Sequence, residues 1–158
     1  MVKINYLPIS GREAINKAGA PYEVVVEFYK AFNTKDLALM AENWLQTFDT
    51  IMALPIGEIK KGWPEIQNFY EKSFKNLADI HLELRDYTLF EELGCCLVIG
   101  TERMSLRLAT GYVHFDARVT RLFVMDGGRY CQLHQHASID TPATLSSYSE
   151  LIKSCDLI

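Results

Sequence analysis

The sequence predicts an α+β fold in which a curved antiparallel sheet packs against helices. Two observations predict it. Apolar residues recur at helical spacing in three segments of the first half of the chain, and with a period of two from Ile80 onward. Because a run of helices followed by a run of strands is typical of α+β proteins, we expect the helices to lie on one face of the sheet.

The first twenty residues lack a clear period. The pair Ser10 and Gly11 interrupts them, and residues 12–18 are predicted to form a short helical arm. We therefore interpret residues 1–20 as an N-terminal extension and residues 21–158 as a single domain.

Three helices and a short strand are predicted next. The first helix begins at Pro21, because apolar residues then recur every three or four positions and proline suits a first helical turn. The second and third helices are predicted over residues 36–45 and 63–78. Between them, residues 50–54 form a strand that Pro55 ends.

Four long strands follow the third helix. Residues 80–90 alternate with a period of two, and residues 95–109 form the next strand, in which Gly100 indicates a bulge or bend. The turn Asp126–Gly128 joins the last two strands into a hairpin. Thr141 is then placed to cap a final helix.

The hairpin carries two rows of polar side chains. A turn of three residues pairs Arg118 with His136, and Thr120 then lies opposite His134, so that the two rows share a face. A slip of one residue would separate the rows. Such a face is either solvated or the lining of a pocket. The rows consist of His114, Asp116, Arg118, Thr120, Tyr130, Gln132, His134, His136 and Ser138.

The alternate positions of the same hairpin are apolar. We expect this row to be suited to burial against another subunit. It includes Val113, Phe115, Val119, Phe123, Leu133 and Ile139.

Composition excludes several classes of partner. The chain has 158 residues, 49% hydrophobic and 23% charged, which is enough for one folded domain. Its net charge is −4 without a block of Lys or Arg, so we expect no nucleic-acid partner. No apolar run approaches the roughly 18 residues of a membrane span, and the N-terminus lacks the apolar segment of a signal peptide. We therefore expect a cytoplasmic protein without a membrane partner.

The cysteines give no metal or disulfide pattern. The chain has four of them, and no two are spaced as Cys-x-x-Cys. We interpret them as apolar residues in a reducing compartment.

Three stretches carry a resemblance to a known superfamily. They are VVVEFYKAFNTKDLALMAENW (24–44), LPIGEIKKGWPEIQNFYEKSF (54–74) and RVTRLFVMDGGRYCQLHQHASI (118–139). Together they resemble the nuclear transport factor 2-like superfamily, which includes ketosteroid isomerases and SnoaL-like polyketide cyclases. The third stretch also resembles the association domain of calcium/calmodulin-dependent kinase II. The resemblance implies a cystatin-like cone, with a sheet wrapped around helices, a cavity at the wide end, and homodimers formed through the outer sheet face.

The resemblance departs from the isomerases at their catalytic positions. Tyr29 matches the tyrosine that hydrogen-bonds the substrate oxyanion. Leu54 occupies the position of the general-base aspartate, and Thr120 that of the second oxyanion-hole acid. Because leucine cannot accept a proton, we do not expect ketosteroid isomerase chemistry.

The polar hairpin row is then the candidate site. We predict His136 as the general acid or base, Asp116 as its electrostatic partner and Tyr29 as a hydrogen-bond donor. The candidate ligand-binding residues are Arg118, Thr120, His134, Trp44, Trp63 and Tyr87. Two alternatives remain: the histidines serve the sheet or a dimer contact, or the His-x-His pair binds a metal with Asp116 or Glu102. The leading prediction includes no metal and no cofactor.

The predicted function follows from this site and the resemblance. We expect a small, largely apolar, oxygenated molecule to bind in the cavity, and cofactor-free isomerase, cyclase or dehydratase activity if the protein is an enzyme. The alternative from another class is a non-catalytic ligand-binding or oligomerisation module that resembles the kinase II association domain.

Overall fold

In the described part of the chain, one seven-stranded sheet packs beside four helices. The structure is a computed structural model that describes the backbone of residues 2–5 and 7–157 and the side chains of residues 7–107 and 109–157. The strands are β1 (Val2–Asn5), β2 (Ile51–Ala53), β3 (Lys60–Lys61), β4 (Ile80–Glu92), β5 (Cys95–Leu108), β6 (Gly111–Asp126) and β7 (Arg129–Ser138). The helices are α1 (Pro21–Thr34), α2 (Leu37–Asn43), α3 (Trp63–Asn76) and α4 (Pro142–Ser154).

The sheet is mixed, with the order β1-β4-β5-β6-β7-β2-β3. β2 pairs parallel to β7, and the other neighbouring strands pair antiparallel. The predicted α+β class is therefore confirmed. Its helices begin close to their predicted positions, since Pro21 starts α1 and the Asp36 side chain caps α2 by accepting from the Leu39 N–H at 2.9 Å.

The hydrophobic core lies between the helices and one face of the sheet. Most of α1 is enclosed, and its consecutive residues Val24, Val25 and Val26 are fully buried. Strand residues such as Leu84 and Phe123 complete the core from the sheet side. No helix in the described ranges is long and apolar enough to cross a membrane.

The N-terminal segment joins the sheet through β1 and Ile9. The helical arm predicted over residues 12–18 is wrong, because these residues are not helical. The N–H groups of Ser10 and Gly11 instead bond the Glu13 carboxylate at 2.9 and 2.8 Å, which favours a local turn. Ile9 bridges to β4 and is fully buried, and β1, which no sequence pattern predicted, pairs with β4 at the sheet edge.

The hairpin turn is one residue shorter than predicted. Asp126 pairs with Arg129, so only the two glycines between them form the turn. Both glycines have positive φ, 55° and 91°, as required by the two-residue turns that match strand twist. The polar rows share a face only from Arg118 to Leu122 of β6, where His136 lies opposite Thr120 rather than Arg118. Tyr130 and Gln132 precede a bulge in β7 and are buried on the inner face instead.

The polar row faces away from the helices, which corrects its expected role as a pocket lining. Asp116, Arg118 and His136 are exposed, whereas Phe115 and Val119 of the alternate row are buried. The apolar row therefore packs on the protein's own helices and not on another subunit. The physical reason is that the sheet face covered by helices must be the apolar one, since unpaired polar groups are costly to bury there.

Two bulges decide which side chains face the core. In β4 the register shifts at Asp86, which has φ 47°, and Tyr87 is buried as a result. Gly100 lies opposite this bulge, and a Cβ at Gly100 would come within 2.7 Å of the Tyr87 Cβ. The bulge that Gly100 indicates is therefore present, but it lies in β4, the strand paired with β5. In β7, Leu133 is the extra residue of the second bulge, and Gln135 is buried on the inner side.

Candidate functional site

A cavity of about 70 Å³ lies between the helices and the inner face of the sheet. Its walls are mostly apolar and include Phe28, Leu54 and Phe115. The polar residues that line it are Tyr70, Ser73, Glu102, Arg121, Gln135 and Tyr148. An apolar concavity with a few convergent polar groups is typical of small-molecule sites.

A buried ion pair forms the polar floor of this cavity. Glu102 on β5 and Arg121 on β6 both point inward, and Arg121 Nη2 and Nε lie 2.5 and 3.2 Å from Glu102 Oε1. Arg121 is fully buried and Glu102 is 5% exposed. Because an isolated charge is costly in an apolar interior, each group requires the other.

Arg121 also orients two amide side chains. Its Nη1 donates to Gln132 Oε1 at 3.0 Å and to Gln135 Oε1 at 2.8 Å. The guanidinium carbon lies 3.6 Å from the centre of the Phe28 ring, a favourable cation–π arrangement. The planar fork of one arginine thus fixes groups from two neighbouring strands.

Tyr29 on α1 completes the floor by donating its hydroxyl to Glu102 Oε1 at 2.5 Å. Burial, and then the negative charge of Glu102, raise the pKa of Tyr29 well above its ordinary value, so the phenol keeps its proton. Burial alone would lower the pKa of Arg121, but Glu102, Tyr29 and Tyr70 outweigh it, and this pKa lies above the ordinary value. Arg121 is therefore a permanent cation.

Two polar atoms of this cluster remain open to a ligand. The three hydrogen bonds that Glu102 accepts all end on Oε1, and among the described residues its Oε2 has no partner. Gln135 turns its Oε1 toward Arg121, which leaves its Nε2 without a partner among the same residues. Neither atom is sealed in the interior, and both side chains line the cavity. The floor cluster therefore offers one acceptor and one donor.

Of the predicted catalytic residues, Tyr29 alone lies at this floor. Asp116 is exposed on the outer face, where its ion pair with Arg103 at 2.8 Å lowers its pKa. His136 is exposed on the same face, with its ring centre 6.4 Å from that of His134. The structure therefore does not bring His136, Asp116 and Tyr29 together.

The predicted ligand-binding residues lie outside the cavity lining. They are Arg118, Thr120, His134, Trp44, Trp63 and Tyr87. The first three are on the outer face of the sheet, where Arg118 Nε donates to Ser138 Oγ at 3.1 Å, and partial burial lowers the pKa of His134. The three aromatic residues are buried in the core.

The metal alternative required the His-x-His pair to converge with Asp116 or Glu102, and Asp116 is instead paired with Arg103. The structure places Glu102 on the inner face of the sheet, and His134 and His136 on the outer face. Within the described residues, no three His, Cys, Asp or Glu side chains are grouped to hold a metal ion.

Sequence reasoning missed Glu102, except as an alternative metal ligand, and missed Arg121 altogether. The usable signal was a charge in an apolar row. Glu102 shares a face of β5 with Val98 and Leu106, and Arg121 shares a face of β6 with Val119. Two opposite charges inside the apolar rows of adjacent strands indicate a buried ion pair.

Comparisons with known proteins agree with this architecture. A sequence model of the SnoaL-like domain family matches residues 22–142. No curated protein sequence matches the chain significantly.

Solved structures of the same fold are similar to the chain at low sequence identity. A proposed dehydratase of the NTF2-like family from Streptomyces avermitilis is 18% identical, with a TM-score of 0.68 over 75% of this chain and 92% of that chain. The calcium/calmodulin-dependent kinase II hub of S. rosetta is 19% identical, with a TM-score of 0.67 over 81% and 100%. An NTF2-like superfamily protein from Salmonella enterica is 16% identical, with a TM-score of 0.66 over 75% and 87%. From the family match, the chain belongs to the SnoaL-like domain family, and the solved structures show that it shares their fold.

Proposed function

We propose that the protein binds a small, neutral, largely apolar molecule with a carbonyl or hydroxyl oxygen, and acts on it by cofactor-free acid/base chemistry at Glu102. One observation carries the proposal. Glu102 is fixed through Oε1 by Tyr29 and Arg121, while Oε2 has no protein partner among the described residues and its side chain lines an apolar cavity.

The charge balance of the floor favours a neutral ligand. Arg121 and Glu102 cancel each other, so an ionised ligand would bring an uncompensated charge into an apolar cavity. The apolar walls suit a hydrocarbon skeleton. Gln135 Nε2 is suited to donate a hydrogen bond to an oxygen of the ligand. Glu102 Oε2 is suited to accept a proton from the ligand atom beside that oxygen.

The geometry supports proton transfer next to a carbonyl group. Glu102 Oε2 accepts a proton from the carbon beside the carbonyl, and Gln135 Nε2 donates a hydrogen bond to the oxygen on which negative charge develops. The proton then returns to another carbon in an isomerisation, or leaves with a hydroxyl group as water in a dehydration. Tyr29 and Arg121 act as positioning residues for the carboxylate.

Two further observations support this class of chemistry. The Streptomyces avermitilis protein with the same fold carries a dehydratase assignment. Leu54, at the position that the resemblance assigns to the isomerase base, lines the cavity without an acidic group. Glu102 supplies a carboxylate from another strand of the same cavity.

The test is proton exchange of small ketones in deuterated water. We expect the wild-type protein to exchange the protons beside the carbonyl of cyclohexanone faster than buffer, as followed by NMR. Glu102→Gln should reduce the protein-catalysed rate by about 100-fold or more, because the amide cannot accept the proton. His136→Gln is the matched control on the outer face. A loss in His136→Gln with full activity in Glu102→Gln would place the chemistry outside the cavity and contradict the proposal.

A second candidate function, self-association, rests on the outer sheet face. Phe90, Leu97 and Leu122 lie in one cross-strand row on that face, and Ile99 beside them is 45% exposed. We propose a second copy of this chain as the occupant. The S. rosetta structure of the same fold is a kinase hub. On the same face the Arg103–Asp116 and Arg85–Glu83 ion pairs lie to one side of the row, and two copies related by a twofold axis would bury the same apolar row against itself.

The second candidate predicts a dimer that one lysine disrupts. Ile99→Lys should shift the wild-type dimer to a monomer in light scattering coupled to size exclusion, because it places a charge directly beside the apolar row. Leu93→Lys is the matched control, since Leu93 is 95% exposed in the turn between β4 and β5. A wild-type monomer, or a dimer that Ile99→Lys leaves intact, would contradict this interface.

A further inference from the structure

Helix α4 closes the side of the cavity that lies opposite the inner sheet face. Tyr148, Leu151 and Ile152 of this helix line the cavity, and Leu157 beyond it does so as well. The helix is held at its far end by Asn76 Nδ2, which donates to the Cys155 carbonyl at 2.8 Å. Except for Pro142, α4 lies beyond the residues that match the SnoaL-like family model. The residues that α4 contributes to the cavity therefore lie outside the family match.

Tyr148 is the polar residue that α4 brings to the cavity. Its side chain is 4% exposed, and its ring packs edge-on against Phe115 with the centres 6.0 Å apart. This contact fixes the ring between the helix and β6. The ring is therefore held in one position before any ligand arrives, which lowers the entropic cost of binding.

The hydroxyl of Tyr148 has no hydrogen-bond partner among the described residues, yet it is not sealed in the interior. Buried tyrosine hydroxyls ordinarily find a partner. Burial, and then the charge of Glu102, raise the pKa of Tyr148, so the group stays a neutral phenol that donates a hydrogen bond. The Tyr148 hydroxyl is therefore an available hydrogen-bond donor at the cavity, and its pKa responds to the charge of Glu102 on the cavity floor.

We propose that Tyr148 is a specificity-determining residue that donates a hydrogen bond to an oxygen of the bound molecule. The inference rests on the proposed ligand cavity and deepens it. The ligand is then a small neutral compound whose oxygen accepts from Tyr148, while its hydrocarbon part contacts the apolar walls and Glu102 Oε2. A hydrocarbon of the same shape binds less tightly, because the phenol loses its partner in the closed cavity.

The test compares two probes of matched shape, cyclohexanone and methylenecyclohexane, by NMR titration. In the wild type we expect cyclohexanone to bind more tightly. Tyr148→Phe keeps the ring and its packing on Phe115, so it should weaken cyclohexanone binding about 5–10-fold and leave methylenecyclohexane within about twofold. Tyr112→Phe is the matched control, since Tyr112 is 67% exposed on β6.

The outcomes separate this inference from the function on which it rests. If both probes bind the wild type and Tyr148→Phe changes neither affinity, or weakens both equally, Tyr148 has only a packing role and the inference is overturned. If neither probe shifts the resonances of cavity residues such as Ile152, the cavity does not bind such molecules, and the proposed function fails together with the inference.

Discussion

Arg121→Met is expected to lower the free energy of unfolding by about 3–5 kcal/mol, the range seen when one partner of a buried ion pair is removed. Arg121 is fully buried and supplies hydrogen bonds to Glu102, Gln132 and Gln135. Methionine fills much of the same volume, so the lost stability does not arise from a new cavity. It arises because the buried Glu102, Gln132 and Gln135 side chains lose their hydrogen-bond donor. Urea unfolding followed by circular dichroism measures the change.

A double-variant cycle shows whether the charge of Glu102 causes this loss. Glu102→Met combined with Arg121→Met leaves no unpaired charge at the floor, so the double variant should be more stable than Arg121→Met alone. Strictly additive losses would show that the two side chains are independent, and would contradict the ion pair as the organising contact of the cavity. Arg103→Met is a useful comparison, because Arg103 pairs with Asp116 on the solvent side of the sheet, and exposed pairs contribute about 0–1 kcal/mol.

Gly11→Ala is expected to destabilise the protein by about 2–5 kcal/mol, the sum of backbone strain and overpacking. Gly11 has φ +84°, which disfavours any residue with a side chain. A Cβ there would lie 2.6 Å from the carbonyl carbon of Tyr29 and closer still to backbone atoms of Lys30. Helix backbone cannot move aside cheaply, so the N-terminal segment must separate from α1. Thermal unfolding monitors the loss of stability.

Gly127→Ala provides the control for Gly11→Ala. Gly127 also has positive φ, +55°, but nothing lies within 4 Å of the Cβ position. This variant should therefore carry the backbone strain without the steric clash, at about 1–3 kcal/mol. Equal losses at the two positions would show that close packing of the N-terminal segment on α1 adds nothing to stability. Because the clash at Gly11 falls on the peptide of Tyr29, we also expect Gly11→Ala to disturb the hydrogen bond from Tyr29 to Glu102.

Under the proposed function, the buried pair replaces the carboxylate of the isomerase pattern. Leu54 leaves the cavity without a carboxylate at the position of the isomerase base, whereas Glu102 places one on β5 among apolar neighbours. Arg121 satisfies one oxygen of that carboxylate and Tyr29 reinforces it. The other oxygen remains for a ligand. Because Tyr29 and Arg121 both bond Oε1, the carboxylate is held in a fixed orientation, as acid/base chemistry requires.

Local patterns were sufficient for the helices and the long strands from Pro21 onward. Pro21 and Asp36 marked the starts of α1 and α2, because proline fixes the backbone of a first turn and a carboxylate satisfies free N–H groups. The strands followed from their period of two. Local patterns failed at residues 12–18, where the Glu13 carboxylate captures nearby N–H groups and Ile9 is buried through contacts with β4.

The site depended on information that no local pattern contains. The hairpin turn is one residue shorter than predicted, which changes the cross-strand partners of β6 and β7. The bulge at Leu133 then changes which residues of β7 face inward, so that Gln132 and Gln135 both lie on the inner face. The polar row of His136 and Asp116 then lay outside, since the apolar row was the one that could cover the helices.

By itself, the sequence determined the α+β class and the order of the helices and long strands from Pro21 onward. These features follow from backbone preferences and apolar periodicity, which act over a few residues. Only the tertiary structure decided that Glu102 and Arg121 meet Tyr29 on the inner face, because their contacts join residues from α1, β5 and β6 that are far apart in the chain. A buried charge is tolerated only where such distant partners converge, so its position is set by the assembled fold.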